Sequence, residues 1–373
     1  MTSVAFLIDQ LFSAAPGGMG TYVRELVPAL TRAEPSLEIR LFHSRFDEPM
    51  VEAWTAAYPM HELDGTMRRL YPSWAVARRP ALPEPIASAD IVHSPVHAAV
   101  PPAGKDQRLV VTVHDLAFLV HPDLFPRQWR WMYRASLTRT VRSADAIITV
   151  SRHTAEDLAR HTRVERRRVH VVPLAASLPP SQAEVPEVLA RYKVRPPYLL
   201  FVGTLEPRKN LTRLVRAYRR IASRGARESL VLAGPIGWHH QALLREISAV
   251  DAPGEITMTG AVGLSDLDAL YRGASAFAYP SLYEGFGLPV VEAMARGLPC
   301  VISTSSSLPE VAGEAALPVD PRSVAGLAEA LERVVSDQDL ADRLRAAALR
   351  RAARYSWEET ARRTLEVYKG VLS

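Results

Sequence analysis

Two glutamates, Glu284 and Glu292, are the residues best placed to do chemistry together, because a glycine-rich segment joins them. Seven residues separate them, and Gly285, Gly287 and Pro289 are among the seven. Two carboxylates can act as acid and base on a glycosidic bond when they lie ~5–9.5 Å apart. They can also flank a bound phosphate and hold the hydroxyls of a ribose or sugar ring. A single helix would hold them about 12 Å apart, at roughly 1.5 Å per residue, but the glycines and the proline argue against one.

The segment around the glutamates is predicted to fold as a strand, a loop and a short helix. Ala276 to Pro280 is expected to be a buried strand end, and Ser281 to Leu288 a loop. Pro289 suits the first helical turn, where its missing N–H costs nothing. Glu284 then lies on the loop and Glu292 in the first helical turn, whose exposed amides favour an anion. We therefore predict a phosphate at the helix end, with one carboxylate on each side of the ligand.

A second glycine loop, GTLEPRKN, covers Gly203 to Asn210 and follows the strand-like stretch YLLFV. Arg208 and Lys209 are adjacent cations at the expected start of a helix, the end at which the helix dipole disfavours them. A bound anion, such as a diphosphate leaving group, explains their position. The alternative is an ordinary surface Arg-Lys pair.

A third loop, PGGMGT, contains Gly17 and Gly18 and follows the strand-like stretch Val4 to Ile8. It is expected to open a helix, so that its amides face a phosphate. Since a GGxG sequence on its own is a weak signal, the alternative is an ordinary turn.

Histidines follow two further apolar stretches. His114 and Asp115 come directly after Leu109 to Val113. They are either site residues or a structural histidine with a helix-capping aspartate. The role of His93 and His97, at another predicted strand end, is left open.

The composition is that of a soluble globular protein, with 373 residues, 48% hydrophobic and 23% charged. This length favours two domains over one. No apolar stretch reaches the ~18 residues of a membrane span, and the N-terminus lacks the basic leader of a secretory signal. The single cysteine, Cys300, excludes an internal disulfide framework and a cysteine-based zinc cluster. A cytoplasmic location is expected.

Metal and hydrolase patterns are absent from the sequence. The two Asp-x-Asp triplets, Asp266 to Asp268 and Asp337 to Asp339, open helical patterns and are interpreted as caps. There is no HExxH, no GxSxG and no Walker loop. We expect neither a metal ion nor a cofactor.

The order of predicted elements indicates an α/β protein. Strand-like stretches alternate with helical patterns in two series, which is typical of parallel sheets covered on both faces. A proline-rich stretch, Ala176 to Pro197, separates the series. We predict two doubly wound, Rossmann-like domains, 1–180 and 181–355, with the final helix, 356–373, packing back on the first. Ligands bind at the carboxyl ends of the strands in such sheets, here in a central cleft between the domains.

Arginine is concentrated in two segments of the N-terminal half. TMRRLYPSWAVARRP and PRQWRWMYRASLTRTVR contain no acidic residue, and the second carries Trp129, Trp131 and Tyr133. They are either solvated helix faces whose aromatics turn inward or a surface for anionic lipid or an anionic acceptor. Nucleic acid is not an expected partner, since no known binding motif is present.

The sequence resembles the retaining glycosyltransferases of the GT-B fold, in the large family-four group. EGFGLPVVE resembles the E-x7-E motif of that family. Other matching segments follow in the family's order over about 300 residues: PGGMGTYVREL, VHDLAFLVHP, ADAIITVSRHTAEDL, FVGTLEPRKNL, LVLAGPIGW and SSLPEVAG. The combination of HDL with GTLEPRKN is most similar to bacterial mannosyltransferases.

The resemblance implies roles for the residues above. Glu292 would bind the donor's ribose hydroxyls, and Glu284 a hydroxyl of the transferred sugar. Lys209 would neutralise the diphosphate, with help from Arg208. His114 would contact the sugar near the reacting carbon. The remaining donor-binding candidates are glycine-loop and backbone positions: Gly17, Gly18, Thr204, Gly285, Phe286, Gly287 and Leu288.

One departure concerns Thr204. Many family members have arginine directly after the glycine of the second loop, where this chain has threonine. Either Arg208 supplies that charge or the site is weaker there.

The implied function is a metal-independent transfer of a hexosyl group, with retention, from a nucleotide diphosphate to a saccharide or lipid-linked acceptor. GDP-mannose is the first donor expected and a UDP-sugar the second. The alternatives are a non-catalytic sugar-nucleotide-binding protein and a sugar-nucleotide epimerase of the same fold. Peripheral contact with the inner face of the cytoplasmic membrane, through the arginine- and tryptophan-bearing segments, is a further expectation.

Overall fold

The computed structural model of the protein describes residues 2–12, 17–47, 52–249 and 252–373, with all of their side chains except that of Gln128. These residues form two compact units. The first unit runs to Leu174 and also includes Ser356–Ser373, and the second unit is Ala175–Tyr355. The predicted boundary between residues 180 and 181 therefore falls inside the second unit.

The first unit is built on a parallel sheet of seven strands. The strands are β1 (Ser3–Leu7), β2 (Glu38–His43), β3 (Met60–Glu62), β4 (Ile91–Ser94), β5 (Arg108–Val113), β6 (Ala146–Thr149) and β7 (Val169–Val171). Their order is β3-β2-β1-β4-β5-β6-β7. The helices are α1 (Gly17–Ala33), α2 (Met67–Val76), α3 (Ala117–Val120), α4 (Arg127–Ser143), α5 (Arg152–His161) and α14 (Trp357–Leu372).

The last helix, α14, is fastened to this unit by polar contacts at both ends. Thr360 donates to the carbonyl of Pro173 at 2.8 Å. Near the other end, the Tyr368 hydroxyl bonds Nδ1 of the buried His93, whose Nε2 lies 2.9 Å from the Thr112 hydroxyl. His93, whose role the sequence left open, is therefore a core histidine that joins α14 to the sheet.

The second unit contains a parallel sheet of six strands. The strands are β8 (Tyr198–Val202), β9 (Ser229–Ala233), β10 (Ile256–Gly260), β11 (Ala276–Tyr279), β12 (Cys300–Ser303) and β13 (Ala316–Val319). Their order is β10-β9-β8-β11-β12-β13. The helices are α6 (Val185–Arg191), α7 (Leu211–Ala222), α8 (Gln241–Ile247), α9 (Leu264–Gly273), α10 (Leu288–Ala295), α11 (Leu308–Ala312), α12 (Val324–Ser336) and α13 (Gln338–Ala352).

The central strands are buried on both faces, which is why they appear in the sequence as continuous apolar stretches. Every residue of β1, β4, β6, β8, β9, β11 and β12 is buried. The predicted α/β class with two Rossmann-like sheets is confirmed. Within the described ranges, no helix is long and apolar enough to cross a membrane.

Candidate active site

The loop after β8 carries the two predicted cations. Gly203 has a φ of 145°, a conformation that favours glycine. A 3₁₀ helix, Pro207–Lys209, follows, and Asn210 then takes a left-handed conformation before α7 begins. The Asn210 amide donates to the carbonyls of Pro280 and Pro321 at 3.0 and 2.7 Å. Asn210 thus fixes Arg208 and Lys209 against the loop that follows β11.

The loop after β11 carries Glu284 and leads into α10, as predicted. Gly287 has a φ of 98°, and a Cβ atom there would lie 2.6 Å from Leu308 Cδ2, so the position requires glycine. The loop is held from the next strand connection: the Glu284 amide donates to the Ser306 hydroxyl at 2.8 Å, and Ser307 donates to the carbonyl of Glu284 at 2.9 Å. Glu284 is therefore held on a rigid support.

The two loops bring Glu284 together with both cations. Lys209 Nζ donates to Glu284 Oε1 at 2.7 Å, and Arg208 donates to Glu284 Oε2 at 2.9 Å. Arg208 also donates to Glu206 Oε1 at 2.7 Å, and Lys209 to the Tyr279 hydroxyl at 2.8 Å. We call Glu206, Arg208, Lys209 and Glu284 the charge cluster. Its two cations and two carboxylates balance one another.

Burial and pairing set the protonation states of this charge cluster. The side chains of Glu284 and Lys209 are only 8% and 9% exposed. Burial opposes the ionisation of Glu284, but the charges of Arg208 and Lys209 outweigh it and lower its pKa to about 2. Burial lowers the pKa of Lys209, and the charge of Glu284 opposes that change. Glu284 is thus a fully ionised acceptor whose two oxygens both face cations.

Glu292 has a different environment. It is the fifth residue of α10 and lies in the second helical turn, not in the first as predicted. The Tyr271 hydroxyl donates to its Oε2 at 3.1 Å, and the Ser177 hydroxyl to its Oε1 at 3.5 Å. Within the described residues it forms no ion pair, and burial raises its pKa. This carboxylate accepts hydrogen bonds from hydroxyl groups, and the hydroxyls of a ribose could bind it in the same way.

The other predicted positions of this unit lie on the same two loops. Gly285, Phe286, Gly287 and Leu288 form the buried turn between Glu284 and α10. Thr204 is half-buried after β8, and its carbonyl accepts from the amide of Glu206 at 2.9 Å. At the start of α10, Pro289 has no amide hydrogen, and the amides of Val290 and Val291 donate to the carbonyl of Gly287 at 2.9 and 3.4 Å. An anion bound here would therefore meet the backbone of the preceding turn and not these amides.

The predicted glycine turn and His114 belong to the first unit. Gly17 and Gly18 are exposed and form the beginning of α1, so the described part of the expected loop is already helical. Gly17 has a φ of 54°, and nothing lies within 4 Å of a Cβ atom added there. Its backbone conformation, and not crowding, therefore requires glycine. Pro16 lies outside the described residues.

His114 is neutral and has a defined tautomer. Its Nε2 lies 2.8 Å from the carbonyl of Pro95, and its ring packs edge-on against Tyr22 at 5.0 Å. Burial lowers its pKa to about 4, although the Pro95 carbonyl and Asp115 favour the charged form. Since a carbonyl only accepts, Nε2 carries the hydrogen and Nδ1 the lone pair. His114 can therefore accept a hydrogen bond at Nδ1 near neutral pH.

Two other predictions need correction or completion. Neither aspartate of the first triplet caps α9, whose N-cap is Gly263. Asp266 pairs with Arg191 at 2.6 Å, and the buried Asp268 pairs with Arg296 and Arg272, both at 2.8 Å. Asp337 does cap α13, accepting from the amide of Leu340.

The role of His97 was left open by the sequence. In the structure its ring stacks on Phe118, with ring centroids 5.2 Å apart.

Sequence reasoning missed several side chains that shape the site. Tyr279, the last residue of β11, bonds Lys209, and Tyr271 on α9 bonds Glu292. A tyrosine at the end of a buried strand was a usable signal for the first of these. Nothing in the spacing of Tyr271 and Glu292 indicated the second. No group of three or more His, Cys, Asp or Glu side chains able to hold a metal ion occurs in the part of the chain that the structure describes.

Two family models match the chain. The Glycosyltransferase Family 4 model matches residues 16–178, and the model for glycosyl transferases group 1 matches residues 189–351. Together they cover most of both predicted domains and contain every predicted site residue.

Among curated proteins, the chain is similar to the O-antigen chain mannosyltransferase B of Escherichia coli. The two are 34% identical over 367 residues, which cover 94% of this chain and 96% of the relative. An MMP alpha-(1->4)-mannosyltransferase of Mycolicibacterium hassiacum is 33% identical over 63% of this chain and 56% of its own. Both names state a mannosyl transfer.

Solved structures share the fold. A sucrose-phosphate synthase from Thermosynechococcus elongatus matches with a TM-score of 0.77 at 20% identity, over 100% of this chain and 99% of that one. The Anabaena HepE protein, solved with UDP-glucose, matches with a TM-score of 0.76 at 17% identity, over 100% and 99%. These likenesses support the two-domain GT-B architecture.

Proposed function

This chain belongs to the group 1 glycosyltransferases, and we propose that it transfers mannose from GDP-mannose to a saccharide or lipid-linked acceptor. Transferase activity follows from the family. The names of the two relatives above support mannose as the transferred sugar. The observation that carries the assignment of the site is the charge cluster, because it combines cations for a diphosphate with a carboxylate for a hydroxyl. Its Glu284 lies on the loop that leads into α10, the helix that carries Glu292.

In the proposed reaction, the bond between the anomeric carbon and the diphosphate oxygen breaks, and the acceptor hydroxyl oxygen forms the new bond to that carbon. The acceptor's proton passes to the leaving diphosphate, so no protein base is needed and GDP is the second product. Negative charge grows on the leaving oxygen as the bond breaks. Lys209 and Arg208 are already fixed by hydrogen bonds, so they stabilise that charge without having to reorganise.

The two glutamates bind hydroxyl groups in this proposal. Glu292, whose present partners are Tyr271 and Ser177, binds the ribose. Glu284 accepts from a hydroxyl of the transferred sugar. Both of its oxygens already face cations, which makes it a weak nucleophile and supports a binding role. Transfer with retention is proposed from the family resemblance.

The remaining predicted residues assist binding. His114 accepts at Nδ1 from a hydroxyl near the reacting carbon, since its Nε2–H is occupied by Pro95. The backbone of Gly17 and Gly18 contacts the diphosphate, as does the turn from Gly285 to Leu288. Lys209 and Arg208 stabilise the negative charge on the leaving oxygen, which is the role that a divalent ion would otherwise fill. We therefore propose that the reaction needs no metal.

The first test measures the binding of nucleotides and sugar nucleotides through thermal unfolding. The measurement is made without added metal and is repeated in the presence of EDTA. GDP-mannose and GDP are expected to stabilise the protein, by about 2.7 kcal/mol at 100 times the dissociation constant. UDP-glucose and UDP-N-acetylglucosamine are expected to have a smaller effect. Stabilisation by the uridine ligands alone would move the donor assignment to UDP-sugars. Loss of the effect in EDTA would contradict metal independence.

Variants test the site itself. Glu292→Ala and Lys209→Ala are expected to lose nucleotide binding and release of GDP from GDP-mannose while remaining folded. Glu329→Ala and Lys105→Ala remove the same side-chain types at exposed positions and serve as controls. Full binding in the first two variants would contradict the site. Tight binding with no turnover for any acceptor would indicate a sugar-nucleotide-binding protein, and conversion of the donor to its epimer would indicate an epimerase.

A further inference from the structure

Helix α4 presents one exposed stripe that the proposed function does not use. Its members are spaced four, three, four and four residues apart, which places them on one helical face. They are all exposed: Arg127, Trp131, Arg134, Thr138 and Arg142. The intervening Ser136, Leu137 and Thr140 are buried. The stripe therefore combines three cations with Trp131, whose side chain is 62% exposed.

Helix α2 packs beside α4 and continues this surface. Arg139 of α4 donates to the carbonyls of Ala75 and Val76 at 3.0 and 3.3 Å, which joins the end of α2 to α4. Met67 and Val76 are 40% and 59% exposed. A groove of about 370 Å³ lies between the helices, with Ala75, Val76 and Ala135 in its lining and Arg134 and Arg142 beside them. We give the name α2–α4 face to eight of the exposed residues of the two helices: Met67, Arg68, Arg69, Val76, Arg127, Trp131, Arg134 and Arg142.

The charge of the α2–α4 face is not compensated locally. Neither helix contains an acidic residue. None of its five arginines forms an ion pair with another described residue, whereas Arg362 on α14 pairs with Glu359 and Glu366. Five cations without carboxylates create a positive potential that attracts an anionic partner.

The exposed apolar side chains indicate which anionic partner fits. The alternative that the aromatics of α4 turn inward is wrong for Trp131, which points to solvent, while Tyr133 packs on Phe118 with centroids 5.3 Å apart. Tryptophan is enriched at the membrane–water interface, and helices that lie in this interface combine basic residues with exposed apolar ones. A soluble polyanion would use the arginines but would leave Trp131, Met67 and Val76 in water.

We propose that the α2–α4 face binds the surface of a bilayer that contains anionic phospholipids. The arginines pair with lipid phosphates, and Trp131, Met67 and Val76 enter the headgroup region. Basic residues near an anionic bilayer each strengthen binding by about fivefold. The proposal goes beyond the transfer reaction, because it involves none of the residues assigned to the donor.

The test is sedimentation of the full-length protein with phosphatidylcholine vesicles, with and without phosphatidylglycerol. Binding is expected only with phosphatidylglycerol, and raised salt should weaken it because exposed charges are screened. The double variant Arg134→Glu/Arg142→Glu should lose at least tenfold in vesicle affinity. Trp131→Ala should weaken vesicle binding by the same factor at low and at raised salt, since it removes an apolar contact and no charge.

A matched control variant distinguishes the loss of this face from a general effect of the protein's net charge. Arg343 and Arg350 are exposed on α13 in the other unit, without ion pairs to described residues, so Arg343→Glu/Arg350→Glu makes the same change in charge. It should sediment like the unaltered protein. Equal losses in the two double variants would overturn the proposal, as would no binding to anionic vesicles at low salt. Binding of heparin or DNA that matches the vesicle affinity and is unaffected by Trp131→Ala would overturn it in favour of a soluble polyanion.

Nucleotide binding is measured on the same preparations. The α2–α4 variants should bind GDP like the unaltered protein, and their thermal unfolding should match it, which shows that the altered first unit is folded. Failure of vesicle binding with intact nucleotide binding rejects the α2–α4 face alone. Failure of nucleotide binding with intact vesicle binding rejects the proposed donor site alone.

Discussion

Replacing Glu284 by glutamine tests the charge cluster most directly, because glutamine keeps the shape and removes only the charge. Pairing lowers the pKa of Glu284 from 4.5 to about 2. At about 1.36 kcal/mol per pKa unit, the ionised form stabilises the folded protein by roughly 3 kcal/mol. Removing one partner of a buried ion pair costs about 3–5 kcal/mol, which agrees. Glu284→Gln should therefore lower the free energy of unfolding by about 3 kcal/mol at pH 7.

The pH dependence distinguishes this cause from a packing defect. A carboxylate whose pKa is lowered by folding contributes its full stability above the unfolded value of 4.5, and the contribution is lost as the pH falls towards 2. The difference between the unaltered protein and Glu284→Gln should thus shrink across this range. Urea unfolding followed by circular dichroism at a series of pH values measures it, with Glu329→Gln as an exposed control. A difference that is the same at about pH 3 and pH 7 would refute the reasoning.

Three further predictions concern single positions. Gly287→Ala should lower the free energy of unfolding by about 1–3 kcal/mol, from its left-handed conformation alone, and urea unfolding that matches the unaltered protein would contradict this. Tyr271→Phe removes the hydroxyl that donates to Glu292, at a cost of about 1 kcal/mol; calorimetry should show GDP binding weakened by about fivefold, and unchanged affinity would argue against the role of Glu292. The lowered pKa of His114, about 4, keeps it neutral between about pH 6 and 8; the ratio of turnover by His114→Asn to that of the unaltered protein should stay constant over this range, and a tenfold change would exclude a neutral His114.

The secondary structure around the site could be predicted from the sequence, because it depends on the backbone preferences of neighbouring residues. Pro289 and the glycines before it are compatible with a strand, a loop and a helix and not with one long helix. The structure has β11 ending at Tyr279 and α10 beginning at Leu288. The strands also appeared as apolar stretches because both faces of a parallel sheet are buried. Element boundaries differ by a residue or two, as for β5, which begins at Arg108 and not at Leu109.

Contacts between distant residues were not accessible in the same way. The sequence placed Lys209 and Glu284 at separate strand ends, but their direct pairing depends on β8 and β11 being neighbours in the sheet. Asp268 resembled a cap because it lies near a helix start, whereas its partner Arg296 is 28 residues away. The orientation of Trp131 depends on which face of α4 packs against α2. Arginine and aromatic residues alternate along α4, so the sequence does not indicate which face that is.

The balance of charge in the cluster explains how its cations can be both buried and useful. A buried lysine with no partner would lose its proton, because burial lowers its pKa. The charge of Glu284 opposes that change and favours the charged form of Lys209 before any ligand arrives. The same carboxylate holds the ammonium group in place, so the cation does not have to move when negative charge builds on a leaving phosphate. In the proposed donor site, the ionised carboxylate of Glu284 accepts from a hydroxyl of the transferred sugar. A neutral hexose such as mannose, the proposed sugar, provides such a hydroxyl.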